Sequence, residues 1–257
     1  MSPTEAERWI SMLRPAVEFP YPKEPVAAGD VALRSGGDAL LPEGMEWPEA
    51  EGYGPLMFAA DMDCAAVAAA GGVELLPTEG RLLFFWGGNP DRWPERWMGP
   101  KSRRWTAWEQ GRVIYVPPGV ACTPCSEPGE PDPDEWFEPI EYMECAARPI
   151  STPPSMERVE FEVPSSEFER SVRADFGYRF TGGYPHPCQG PVEFTAAADA
   201  LGGGLAWGDA RIPVEADQWR LLYQDAWGFG DLVLYWMIRA EDLEARRFDR
   251  VWFGMQR

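Results

Sequence analysis

The chain holds a single histidine, His186, set between Pro185 and Pro187. Histidine is the side chain most often used as acid or base near neutral pH, so a Ser-His-Asp or Cys-His arrangement would have to use this one. No Gly-x-Ser-x-Gly elbow accompanies it, and the Pro-His-Pro context reads first as a turn. Cys122-Thr-Pro-Cys125 has a spacing that lets two thiolates reach one zinc ion, and His186-Pro-Cys188 offers a third and a fourth ligand, at an unusual spacing for a structural site. A redox role for the Cys-x-x-Cys lacks a thioredoxin-like βαβ context, which leaves incidental thiols as the simplest account.

Carboxylates are abundant, so pairs of them say little by themselves. Asp61 and Asp63 stand two apart at the end of an apolar run; Gln224 and Asp225 end another, with Trp227 and Asp231 in the turn that follows. Such a set could bind a small ligand or a cation, or do acid–base work, with Asp63 and Asp225 facing across a cleft. Asp also caps helices and builds turns everywhere, and that is the plainer reading. Trp86, Trp93, Trp97, Trp105 and Trp108 crowd one region; they are either core or a recognition surface. There is no Gly-x-x-x-x-Gly-Lys phosphate loop and no Gly-x-Gly-x-x-Gly dinucleotide fingerprint.

The elements that must position these groups are mostly short strands. Leu56–Ala60, Arg81–Trp86, Arg112–Val116, Trp219–Gln224, Leu232–Ile238 and Arg250–Phe253 are apolar runs of strand length; Arg158–Val163 alternates polar and apolar. Short helices are expected near Ser2–Leu13, Cys64–Ala70 with Asp61 or Asp63 as cap, after Ser165 or Ser166, at Thr195–Leu201 and at Ala240–Arg247. Residues 15–55 read as loop with short strands, and 117–139 as an exposed loop rich in Pro and acid. The pattern is β-rich α+β, one domain of short antiparallel strands over 1–257. A weak repeat relates Met57-Phe58…Asp61…Leu83-Phe84-Phe85 to Leu222-Tyr223…Gln224-Asp225…Leu234-Tyr235-Trp236; an internal duplication could produce it, and so could any hairpin-rich β protein.

Composition excludes several function classes. The 257 residues include 23 Lys+Arg against 42 Asp+Glu, a formal charge of -19. Nucleic acids and anionic membranes need clustered bases, and this chain has only two lysines, Lys23 and Lys101. An acidic surface instead favours solubility, and a basic partner if there is one. The acidic start of the chain and its five cysteines, an odd number, fit a cytoplasmic protein with reduced thiols.

Ordered motifs then carry a family resemblance. Gly36-Gly37, Leu41-Pro42, Trp47-Pro48, Pro55-Leu56 and Leu82–Phe85, then Gly183-Tyr184-Pro185 with Gln189, then Leu221–Asp225, Asp242-Leu243 and Phe248–Arg250 resemble the YwqG-like family. That resemblance covers roughly 34–257, strongest over 34–90 and 180–257. It implies a bacterial, soluble domain of unknown function. The family pattern has Gln where this chain has Asp61, and Pro where it has Ala39. With no catalytic motif found, the expectation leans away from an enzyme. The expected function is that of a cytoplasmic, acidic binding or interaction protein, in one form immunity-like toward a basic protein. The alternatives are a small-ligand binder or hydrolase-like enzyme using the strand-end carboxylates, and a protein stabilised by zinc on Cys122, Cys125, His186 and Cys188.

Overall fold

The structure is a computed structural model; it describes residues 3–50, 54–87, 108, 110–128, 142–155, 179–226 and 232–256. Two antiparallel sheets carry the fold. The five-stranded sheet runs β10 (Met143–Ala146), β2 (Val31–Ser35), β6 (Met57–Asp63), β7 (Arg81–Trp86), β8 (Gly111–Val116). The six-stranded sheet runs β11 (Arg148–Thr152), β1 (Arg14–Glu18), β12 (Phe180–Gly182), β13 (Trp219–Asp225), β14 (Val233–Arg239), β15 (Trp252–Gln256). Two small ladders pair β3 (Ala39–Pro42) with β9 (Cys122–Cys125), and β4 (Glu49–Ala50) with β5 (Gly54–Pro55). Among the described residues the helices are short: α1 (Pro3–Met12), α2 (Cys64–Ala69), α3 (Val192–Ala200), α4 (Arg211–Ala216) and α5 (Ala240–Glu244). None is long and apolar enough to cross a membrane.

The apolar runs are continuous because both faces of the central strands are covered. Side chains alternate along a strand, so a run such as Arg81–Trp86 feeds two cores. Leu82, Phe84 and Trp86 point between the sheets and meet Leu222, Leu234, Trp236 and Phe253. Phe84 lies 5.5 Å from the Trp236 ring, and Trp236 Nε1 donates to the carbonyl of Phe85 at 3.0 Å. Leu83 and Phe85 point outward and are covered by Leu41 and Leu56. On the far side, α3 and α4 lay Phe194, Ala197 and Ile212 over Leu221, Tyr235 and Met237.

The two sheets repeat one another. The β6–β7 ladder slips by one residue between Phe58 and Ala60, and the β13–β14 ladder between Leu221 and Tyr223. Aligning the two bulges makes Asp61 equivalent to Gln224, and the other strands then fall into the same register. Asp61 stands opposite Arg34 and Leu83; Gln224 stands opposite Phe180 and Tyr235. One strand further, Leu83 faces Ile114 and Tyr235 faces Gly254. Both β2 and β12 run into a pair of positive-φ glycines, Gly36-Gly37 and Gly182-Gly183. A bulge at one place in a ladder is a specific feature, not a general property of hairpins. The duplicated unit is therefore β2–β6–β7–β8 against β12–β13–β14–β15. The strands are those the sequence matched; the residue alignment moves by one or two positions, because pattern matching cannot see a bulge.

Elsewhere the expectations from sequence meet mixed outcomes. Pro15 does not merely end α1; it lies inside β1, which sits within the six-stranded sheet. Part of the acidic segment 117–139 is strand β9. In α1 Trp9 is buried, whereas its neighbour Ile10 is 65% exposed. The strand expected at Arg158–Val163 and the helix after Ser165 or Ser166 lie outside the described residues.

Candidate functional site

The bulges decide where the strand-end polar groups go. In β13 the extra residue puts Leu222 and Tyr223 both on the inner face. Asp225 is buried with them: it accepts from Tyr223 Oη at 2.6 Å and from Arg179 Nε at 3.4 Å. Arg179, itself buried, directs Nη1 at Met143 Sδ (3.3 Å) and Cys145 Sγ (3.5 Å). Gln224 is also fully buried, and its Oε1 accepts the His186 amide at 2.8 Å. Tyr235 Oη donates to the His186 carbonyl at 2.9 Å, so the loop carrying Gly183-Tyr184-Pro185 is fastened to β13 and β14.

In the first unit, Asp61 is bound by two guanidinium nitrogens of Arg81, Nε at 2.8 Å and Nη2. Burial raises its pKa, against the pull of Arg81. Asp63 caps α2, accepting from the amide of Ala66 at 2.9 Å. Asp63 and Asp225 thus end strands of different sheets, Asp63 holding the Ala66 amide and Asp225 held by Tyr223 and Arg179. Trp227 lies outside the described residues.

The zinc set is not brought together. Cys122 and Cys125 lie on β9 against β3, while His186 and Cys188 belong to the loop over β13–β15. In an extended strand, residues three apart do not share a face, which removes the advantage of the two-residue spacing. Among the described residues no group of three or more His, Cys, Asp or Glu side chains could hold a metal. The tryptophan cluster also divides: Trp86 is fully buried core, Trp108 packs on Trp219 at 5.7 Å, and Trp93, Trp97 and Trp105 lie outside the described residues.

A different place gathers uncompensated charge. A cleft of about 300 Å³ opens between the start of β1, the end of β12, the start of β13, α5 and the segment after α2. Its polar lining is Arg14, Arg220 and Glu74; Val73, Leu221 and Leu243 supply apolar wall. The Arg14 guanidinium stands 4.1 Å over the Tyr184 ring. Arg220 donates Nη1 to the carbonyls of Asp217 (2.8 Å) and Trp219 (3.0 Å). Among the described residues neither arginine has a carboxylate at ion-pair distance, whereas Arg34, Arg81, Arg148, Arg179 and Arg239 all do. Burial, and then the charge of Arg14, lower the pKa of Arg220.

Local backbone geometry shapes this cleft. Gly182 and Gly183 have φ of +75° and +65°. A Cβ on Gly183 would lie 2.1 Å from Thr152 Oγ1, which accepts the Tyr184 amide at 2.7 Å. Only glycine lets the chain turn here and bring the Tyr184 ring under Arg14. The opposite wall, Val73 and Glu74, runs into Leu75, whose φ is +66°. Arg246, at φ +57°, donates Nη1 to the Leu75 carbonyl at 2.9 Å. Two non-glycine residues in the left-handed region thus clasp each other beside the cleft, and such strain gathers at ligand sites. Sequence reasoning missed the cleft because its residues come from five separated segments. The one sequence signal near it was the Gly183-Tyr184-Pro185 motif.

The profile of a domain of unknown function, DUF1963, matches residues 34–256. The chain belongs to this family. The YwqG-like resemblance read from the motifs is consistent with it. No curated protein matches the chain. Within this DUF1963 protein, Arg14 precedes the matched span, while the rest of the cleft's charged lining lies inside it. The two departures from the family pattern also find a place. By the register of the two units, Asp61 is equivalent to Gln224, and Ala39 to Pro185. In the second unit Gln224 ties down the loop that begins at Pro185; in the first, Asp61 has turned to Arg81 instead.

Proposed function

We propose that the protein binds a small organic carboxylate in the Arg14–Arg220 cleft. The observation that carries this reading is the pair of partly buried guanidinium groups without a carboxylate partner among the described residues, in a chain of net charge -19. Arginine presents a planar fork of donors that matches a carboxylate in two parallel hydrogen bonds. The walls of Val73, Leu221 and Leu243 favour an organic anion over bare phosphate. About 300 Å³ is the lower end of the range for small-molecule sites. Among the described residues the lining carries no Ser, Thr, Cys or His, which favours binding over catalysis by a hydroxyl, thiol or imidazole nucleophile.

A thermal-shift series at fixed ionic strength tests this, with 4-methylpentanoate against phosphate and chloride. Saturating carboxylate at a hundred times its Kd stabilises the fold by about 2.7 kcal/mol. We expect a saturable rise in Tm with 4-methylpentanoate alone, lost in Arg220→Gln and in Arg14→Gln. Equal shifts for all three anions, or shifts that survive both substitutions, would overturn the proposal.

A second reading rests on the net charge itself, which the cleft does not use. An acidic surface speeds association with a basic protein, the immunity-like form included. Tyr21 and Tyr142, each more than half exposed, flank an open groove on the β10 edge that such a partner would cover. A single stoichiometric basic protein retained from native lysate at low salt and lost at high salt would support it; retention of none would count against it.

A further inference from the structure

The cleft carries one acid as well as two bases. Glu74 lies on its exposed rim and lines the same cleft as Arg14 and Arg220. It makes no hydrogen bond or ion pair with any described residue, and neither arginine is paired with it. A rim glutamate placed only for solubility would be indifferent to the ligand. A glutamate whose field reaches the anion seat is not: it repels a simple carboxylate and attracts a cation.

From this we infer that the ligand is a small zwitterion of the amino-acid class. Its carboxylate sits between Arg14 and Arg220, its ammonium points to Glu74, and its apolar part lies on Val73, Leu221 and Leu243. The inference rests on the carboxylate-binding reading above and extends it by naming the second charge. The arrangement uses every charged group in the lining. It leaves the site with a net charge of one positive unit, which the ligand's neutral total does not have to cancel in full. The carboxylate is met by the planar donors, and the compact ammonium by the single acceptor at the mouth, where partial hydration lowers the cost of holding it. The clasp between Arg246 and Leu75 fixes the segment that presents Glu74, so the acid is held at the rim by the same strained turn that forms the wall.

Isothermal titration of the full chain separates the two claims. The probes are leucine, 6-aminohexanoate (a zwitterion with its charges far apart) and 4-methylpentanoate, which lacks the ammonium. The proteins are wild type, Glu74→Gln and Arg220→Gln, each checked for an unchanged fold by circular dichroism. Glu74 is exposed, so its substitution leaves the core untouched. We expect at least one zwitterion to bind wild type about fivefold or more tightly than 4-methylpentanoate, a factor worth about 1 kcal/mol. Glu74→Gln should move the ligands in opposite directions, weakening that zwitterion and strengthening 4-methylpentanoate. If 4-methylpentanoate binds best and Glu74→Gln leaves the ratio unchanged, the zwitterion is wrong while the carboxylate site stands. If no probe binds, or Arg220→Gln binds all as wild type does, the carboxylate site falls and the zwitterion with it.

Discussion

At the scale of single residues, the polar groups that look most like chemistry are structural. Asp225 was legible in the sequence as a polar strand end, but its partner was not: Arg179 lies 46 positions away, and the sulfur acceptors of Arg179 lie 34 and 36 away. Nothing in local pattern predicts such a meeting. Breaking a buried ion pair from one side leaves the other charge without compensation and costs about 3–5 kcal/mol, whereas replacing both with apolar groups is often neutral. Arg179→Met should therefore lower the urea unfolding free energy by about that amount, and Arg179→Met with Asp225→Leu should recover most of it. A double variant no more stable than the single one would mean the pair is not the unit of interaction. The thiols give a second residue-level expectation. Burial, then the nearby Asp63 charge, push Cys64 up to about 12; Cys145 is raised by burial as well. Because the thiolate is the nucleophile, iodoacetamide at pH 8 should spare Cys64 and Cys145 in the native protein and modify the exposed Cys188. Mass spectrometry of the labelled peptides reads this directly.

At the scale of elements, the strands buried on both faces were readable and the edge pieces were not. Arg81–Trp86 is recovered to the residue because five successive apolar positions, Leu82 to Trp86, follow the Gly80 turn and leave no alternative. Strand β1 falls where residues 15–55 read only as loop with short strands, because Pro15 breaks up any apolar run, and β9 was missed because Pro124 and its acidic surroundings read as loop. Both owe their structure to a partner strand, β11 and β12 for β1 and β3 for β9. The Gly-Gly turns, by contrast, were visible as motifs, and their geometry separates them into kinds. At Gly183 a methyl group would meet Thr152 Oγ1 at 2.1 Å and Ala16 Cβ at 3.0 Å, in addition to the positive φ. At Gly202 the φ is +102° but the space around it is open. Left-handed strain alone costs about 1–3 kcal/mol. Gly183→Ala should exceed that and also weaken carboxylate binding, because Tyr184 would move from beneath Arg14. Gly202→Ala should cost only the strain and leave binding unchanged. Melting curves with and without 4-methylpentanoate separate the two.

At the scale of the whole molecule, two copies of one antiparallel unit close face to face over an aromatic core, and the duplication was legible as aromatic strand pairs though not in its register. The cleft was not legible at all, since closing the fold is what brings Arg14 to Arg220. The same closure predicts a pH dependence. Tyr223 and Tyr235 have ordinary values of 10.0, both raised first by burial, and Cys64 is raised likewise from 9.0. In the unfolded chain these groups release protons from about pH 9 upward, while in the folded protein they hold them, so the folded state binds more protons there. Stability is then present below pH 9 and is lost as pH rises, by up to about 1.4 kcal/mol per pH unit for each group. Urea midpoints at pH 8, 9.5 and 10.5 should fall progressively, with a shallower fall in Tyr223→Phe; a midpoint independent of pH would contradict the burial of these groups. The most direct test of the central claim, that the Arg14–Arg220 cleft is the binding site, is a crystal soaked with 4-bromobenzoate and read by bromine anomalous scattering. The account predicts a carboxylate between the two guanidinium groups with the bromine against Leu221 or Leu243. Anomalous density elsewhere, with this cleft empty at a concentration that saturates the thermal shift, would contradict it.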